Sequence, residues 1–160
     1  MKEIVKTVHI TQKDESELTD AERKLIDAAK SSTYRSYAPY SKFCVGAAIQ
    51  LEDGEVLTGN NQENCAFPSG LCAERTALFY TNAQYPDTPV AAIAIAARDS
   101  NGEFTSVPIS PCGSCRQALL ETEHRFARPI RVMLYGTEGI YFIDSVRDLL
   151  PVGFDSDCLV

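Results

Sequence analysis

The sequence predicts an α/β fold, a mixed five-stranded sheet with helices packed on it, and two observations carry the prediction. The first is the order of periodicities along the chain: helix, strand, strand, helix, strand, helix, strand, strand. The second is "VAAIAIAA" (90–97), a run almost without polar residues, as a strand buried on both faces requires. With 160 residues, 44% of them apolar and 23% charged, the chain is expected to form one domain, residues 1–160, around its own core.

Each element has a local reason. In "ELTDAERKLIDAAKSS" Thr19 is placed to N-cap a helix, and Glu22, three residues later, to close a capping box. Leu25, Ile26 and Ala29 then give that helix an apolar face. "APYSKFCVGAAIQL" passes Pro39 into a β-like run, "EDG" (Glu52–Gly54) is a hairpin signal, and "EVLTG" is the returning strand. The loop "NNQENCAFPSG" leads to a second helix at about residues 72–84. After 90–97, "ISPCGSCRQALLETEHRF" reads as a Pro/Gly-bearing loop and a third helix. "IRVMLYG" and "IYFIDSV", joined around Thr137–Gly139, are two more strands, and "VRDLLP" suits a last short helix.

Charge and composition exclude several function classes. The net charge is −7, from 22 acidic and 15 basic residues, and Lys and Arg are scattered rather than gathered in a stripe. Such a surface repels a polyphosphate, so a long nucleic acid is not an expected partner, whereas a small neutral nucleoside meets no such penalty. No apolar run approaches the ~20 residues that cross a bilayer. "MKEIVKTVHITQKDESEL" carries no apolar core of a signal peptide. No membrane association and a cytoplasmic address are therefore expected.

The six cysteines are Cys44, Cys65, Cys72, Cys112, Cys115 and Cys158, and neither of the two histidines, His9 and His124, lies within the cysteine cluster in sequence. In a chain expected in a reducing compartment, metal or catalytic roles gain over disulfides. Cys112 and Cys115 form "PCGSC" at a helix start, open to a redox or a metal reading. A redox pair normally follows the first strand of its unit, and this one comes late. A structural four-thiolate site needs a second such pair, and none exists. Cys72, at the start of the preceding helix, remains as a third ligand, and three protein ligands match the catalytic pattern of zinc, whose open position holds water. Helix dipoles, with Arg75 and Arg116 beside the ligands, are expected to balance the thiolate charge. Glu74, two residues after Cys72, is then placed to relay protons.

The combined pattern "NQENCAFPSGLCAERTALF" and "SPCGSCRQALL" resembles the small homotetrameric cytidine deaminases, with their N-x-E-N, C-A-E-R and P-C-x-x-C-R-Q motifs. "APYSKFCVGAAI" and "LLPVGF" resemble further segments of that family, so the likeness runs from about Tyr37 to Phe154. The first 18 residues lack a counterpart and read as an N-terminal extension. The resemblance implies a three-layer α-β-α fold and zinc-dependent deamination of cytidine and 2′-deoxycytidine in pyrimidine salvage. It implies one zinc per subunit on Cys72, Cys112 and Cys115, with Glu74 as the acid/base. Ala73 N–H would hold the ring carbonyl, and the Ser110 carbonyl the departing amine. Asn61 and Glu63 would bind the ribose 3′-hydroxyl, Phe43 would pack beside sugar and base, and Phe154 would enter a neighbouring subunit's pocket in a homotetramer.

Two positions depart from the family pattern: Cys44 where proline is common, and Phe67 where tyrosine is common. Cys44, Cys65 and Cys158 are expected to be structural and off the metal. Three rival readings stand beside the deaminase: a blasticidin S deaminase, which the N-x-E-N clamp argues against, a structural zinc module, and a thiol redox protein.

Overall fold

The computed structural model describes residues 1–159. Helix α1 (Asp20–Ser32) begins at the capping box, with Glu22 N–H donating to Thr19 Oγ1 at 3.3 Å and Thr19 N–H to the Glu22 carboxylate at 2.9 Å. Strands β2 (Cys44–Leu51) and β3 (Val56–Asn60) form a hairpin whose turn contains Gly54 at φ 93°. A loop leads into α2 (Ala73–Gln84), followed by β4 (Val90–Arg98), α3 (Gly113–Phe126), β5 (Arg131–Leu134) and β6 (Ile140–Ile143). The segment "VRDLLP" supplies a short 3-10 turn at Val146–Leu149.

One strand was not expected. Thr11–Lys13 forms β1, paired antiparallel with β6 at the sheet edge, with Gln12 opposite Tyr141. The sheet therefore has six strands among the described residues, in the order β1-β6-β5-β4-β2-β3, and β1 lies within the first 18 residues. Its residues are polar and mostly exposed, so there is no apolar alternation to read. Backbone pairing to β6 and the Gln12 amide donating to the Glu138 carbonyl (3.1 Å) hold it instead.

Only the β4–β5 pair is parallel, joined through α3, and the rest are antiparallel, so the sheet is mixed as expected. Side-chain alternation sorts the two faces. Ala47, Ile49 and Leu51 of β2 and Ile93 and Ile95 of β4 pack with Ala77, Leu78, Leu119 and Leu120 of α2 and α3. Ala48, Ala94 and Ala96 face the other way, against Leu25, Ile26 and Ala29 of α1. The result is three layers: α1, the sheet, then α2 and α3.

The layer holding α2 sits unusually close to the sheet at one point. A Cβ on Gly59 of β3 would lie 2.4 Å from the Ala77 nitrogen and 2.8 Å from the Ala73 oxygen, so only glycine admits this approach. No described helix is long and apolar enough to cross a membrane.

Candidate active site

The N-termini of α2 and α3 meet at the same end of the sheet. Cys72 and Cys112 are their N-cap residues, with extended backbone (ψ 154° and 165°), and neither side chain caps its own helix. Both sulfurs are thereby free to point toward each other. Cys115, in the first turn of α3, is fully buried.

The Sγ atoms of Cys72 and Cys112 are 3.8 Å apart, those of Cys112 and Cys115 are 3.4 Å apart, and all three lie within 4.8 Å of one another. Sulfurs at the corners of a tetrahedron, each ~2.3 Å from a zinc ion, stand about 3.8 Å apart. Three soft donors at this spacing fit zinc, and Cys44, Cys65 and Cys158 lie outside the group.

Electrostatics around the thiols follow from their contacts. The Cys72 thiol is brought down to about 5, first by the neighbouring Cys115 thiol and then by Arg75 and Cys112, against the opposing effect of burial. The nearby Cys72 sulfur, together with burial, pushes Cys115 up. Arg75 donates from Nη2 to Cys72 Sγ at 3.6 Å, while its buried Nε has no partner. Glu74 is buried at 5% exposure. Burial raises its pKa, and the negative charge on Cys72 raises it further.

Arg116 does not join Arg75 at the sulfurs. Its Nε donates to the Pro111 carbonyl (2.8 Å), Nη1 to the Leu149 carbonyl (3.0 Å) and Nη2 to Ser110 Oγ (2.9 Å). Its fork braces the loop before α3 against the turn after β6, so Arg116 is held by these oxygens rather than by a hydrogen bond to sulfur. Neighbourhood in sequence does not set the direction of a long side chain, and here three carbonyl and hydroxyl oxygens lie within its reach.

A cavity of ≈ 600 Å³ opens beside Cys72, lined by Arg75, Asn61 and Glu63 among others. Asn61 is clamped to the start of β2: its Nδ2 donates to the Phe43 carbonyl (2.9 Å), and its Oδ1 accepts from Val45 N–H (2.8 Å). Glu63 accepts from Tyr40 N–H (2.9 Å), Ser41 N–H (3.3 Å) and the Ser41 hydroxyl, and the hydroxyl bond holds its carboxyl below the usual range. Ala73 is buried directly behind Cys72, Phe43 is half-buried where the chain enters β2, and Ser110 is exposed just before α3. Phe154 is 57% exposed, its carbonyl accepting from Gln117 Nε2 (2.6 Å).

Sequence reasoning missed Tyr40, Ser41 and Phe67 as cavity residues. The rings of Tyr40 and Phe67 meet edge to face, centroids 6.1 Å apart. Tyr40 and Ser41 stand just before Phe43 in a segment already singled out, and that adjacency was the available signal. A second convergence joins His124, Asp155 and Asp157 within 4.8 Å. There the imidazole meets Ser156 Oγ at 2.8 Å and Arg147 pairs with Asp155 at 3.4 Å, so the group clasps the C-terminal turn to α3.

Comparison with known proteins adds to this geometry. Residues 19–128 match the family model described as the cytidine and deoxycytidylate deaminase zinc-binding region. The chain is 38% identical over 136 residues to a cytidine deaminase of Sporosarcina psychrophila, covering 85% of this chain and 93% of the relative. A cytidine deaminase of Halalkalibacterium halodurans is 37% identical over 133 residues, covering 83% and 93%. The crystal structure of cytidine deaminase from Burkholderia pseudomallei superposes with a TM-score of 0.72 at 40% identity, covering 86% of this chain and all of that one.

Proposed function

The chain belongs to the cytidine deaminase family, and we propose that it hydrolyses cytidine and 2′-deoxycytidine to uridine and 2′-deoxyuridine with release of ammonia. The observation that carries the reading is the meeting of three cysteine sulfurs with a buried glutamate at the start of α2. Cys72, Cys112 and Cys115 hold one zinc per subunit. When bound, zinc supplies Lewis-acid activation of water at neutral pH.

The protein's own groups do the rest. Ala73 N–H, in the first turn of α2 and without an intrahelical acceptor, donates to the pyrimidine carbonyl. Glu74 takes a proton from water as it adds to C4 and delivers it to N3. It then carries the remaining hydroxyl proton to the amino nitrogen, the C4–N bond breaks, ammonia leaves and the C4 carbonyl forms. A carboxyl whose pKa is raised by burial is suited to receiving and returning a proton in one cycle. The Ser110 carbonyl accepts from the departing amine, and Phe43 packs beside the sugar and base.

The sugar reading gains support from a count of unused hydrogen-bonding sites. Asn61 has one N–H and one Oδ1 lone pair left, and the Glu63 carboxylate, with three of its roughly four lone-pair sites engaged, has about one acceptor site left. The free Asn61 donor and the free Glu63 acceptor together suit a hydroxyl, which both accepts and donates. These groups read the 3′-hydroxyl, so both ribose and 2′-deoxyribose substrates are accommodated. Phe154 of one subunit completes a neighbour's pocket in a homotetramer. Its exposure, and that of Phe79 (49%) and Tyr80 (55%) on α2, supports contact between copies. The role is salvage of free pyrimidine nucleosides in the cytoplasm.

The test is ammonia release from cytidine, 2′-deoxycytidine, cytosine and blasticidin S, for wild type and Glu74→Gln, with zinc content measured on both. Expected are turnover of the two nucleosides and a loss of about 10²- to 10⁴-fold in Glu74→Gln at unchanged zinc content. Unchanged turnover in Glu74→Gln would refute the mechanism, and preference for blasticidin S would refute the substrate.

A further inference from the structure

The two segments that border the cavity are locked into each other. Tyr37 N–H donates to the Asn61 carbonyl at 3.0 Å, and Glu63 N–H donates to the Tyr37 carbonyl at 2.8 Å. The Glu63 side chain then closes over the other segment. Its Oε2 accepts from Tyr40 N–H and Ser41 N–H, and its Oε1 accepts from the Ser41 hydroxyl. Ser41 Oγ is itself fixed, because Phe43 N–H donates to it at 3.0 Å. A hydroxyl rotor normally turns to suit its surroundings. Here the backbone occupies its acceptor side and its single proton is directed at Oε1.

From this geometry we infer that Ser41 is a positioning residue for the sugar-reading carboxylate, fixing the Glu63 head so that its last acceptor site faces the substrate hydroxyl. The inference rests on the reading of Asn61 and Glu63 given above. The terminal torsion of a glutamate is broad, so a carboxylate anchored at one oxygen alone swings about that anchor. The two backbone amides both hold Oε2, and Ser41 alone holds Oε1. Without the hydroxyl, Oε1 is free to turn away from the cavity. The Ser41 bond also lowers the Glu63 carboxyl below its usual range, in keeping with a carboxylate that accepts near neutral pH. A site so arranged demands a donor on the sugar, and a 3′-phosphate ester or an internal nucleotide offers none.

The experiment measures kcat and KM separately for wild type and Ser41→Ala on cytidine and on 3′-deoxycytidine, and repeats Ser41→Ala in a Glu63→Gln background. Wild type is expected to prefer cytidine over 3′-deoxycytidine by roughly tenfold or more. Ser41→Ala is expected to raise KM for cytidine about tenfold with kcat little changed. It should leave 3′-deoxycytidine unaffected and add nothing once Glu63 is glutamine. An equal effect on both substrates, or one that persists in the Glu63→Gln background, overturns the positioning role. If wild type itself treats the two nucleosides alike, the assignment of Asn61 and Glu63 to the 3′-hydroxyl fails, and the inference with it.

Discussion

Replacing Gly59 by alanine tests how closely the site depends on the seat of α2. The new Cβ would lie 2.4 Å from the Ala77 nitrogen, 2.8 Å from the Ala73 oxygen and 2.9 Å from the Ala77 Cα, all backbone atoms that no rotamer change can move aside. Ordinary contact begins near 3.4 Å, so the first turns of α2 must lift by about 1 Å. That lift carries Cys72, Ala73 and Glu74 away from Cys112 and Cys115, which are anchored on α3. Overpacking of this kind costs about 1–3 kcal/mol in stability. A misplacement of about 1 Å in a catalytic group can cost roughly 10²-fold in rate. Gly46→Ala is the matched control, because its Cβ would meet Ala29 O at 2.2 Å and Thr33 N at 2.7 Å, on the α1 side of the sheet. The assay pairs denaturant unfolding with cytidine turnover and zinc content at a temperature where both variants are folded. Both should lose stability, and Gly59→Ala alone should lose about 10²-fold in kcat/KM. Full activity in Gly59→Ala, or an equal loss in Gly46→Ala, would refute the reasoning.

Three further outcomes follow from the same contacts. The buried Glu123 carboxylate accepts from Ile130 N–H, Val146 N–H (both 2.9 Å) and Ser145 Oγ (2.7 Å), so Glu123→Ala leaves two buried amides unpaired. A loss of about 2–5 kcal/mol is expected in denaturant unfolding, with a smaller loss for Glu123→Gln. Arg75→Met removes the donor to Cys72 Sγ and should weaken zinc affinity about 10- to 100-fold in a competition titration against a chelator, with the fold intact by circular dichroism. Burial alone would raise Glu22, but hydrogen bonds from Thr19 N–H and Lys13 together bring it below the ordinary range. A depressed carboxylate contributes stability above its unfolded pKa and loses it as pH falls through the folded value. Glu22→Gln should therefore cost about 1 kcal/mol near neutral pH, and the gap to wild type should close in acid melts. A gap that persists when both proteins are fully protonated would contradict this.

How much was legible in the sequence depended on whether a signal was local. The capping box at Thr19 and Glu22, the turn at Gly54 and the helix start at Cys72 are each set by a few adjacent residues, and each lies where the sequence places it. "VAAIAIAA" became β4 because alternate residues of the run meet helices on opposite faces. β1 was illegible because three polar edge residues are held by a partner strand some 130 residues away. The gathering of Cys72, Cys112 and Cys115 was readable from their places at two helix starts. The direction of Arg116 was not, since it answers to Leu149, far along the chain. Ser41 was hidden for a similar reason, because its meaning lies in its bonds to Glu63 and Phe43 rather than in its residue type.

The most direct test of the central claim follows zinc and uridine together. Zinc per subunit and uridine formation from cytidine are measured on the wild type as purified, after removal of metal by a chelator, and after zinc is returned. One zinc per subunit is predicted, with activity lost in proportion to the metal removed and restored with it. Full turnover in metal-free protein, or X-ray absorption that finds four sulfurs around the zinc, would contradict the account.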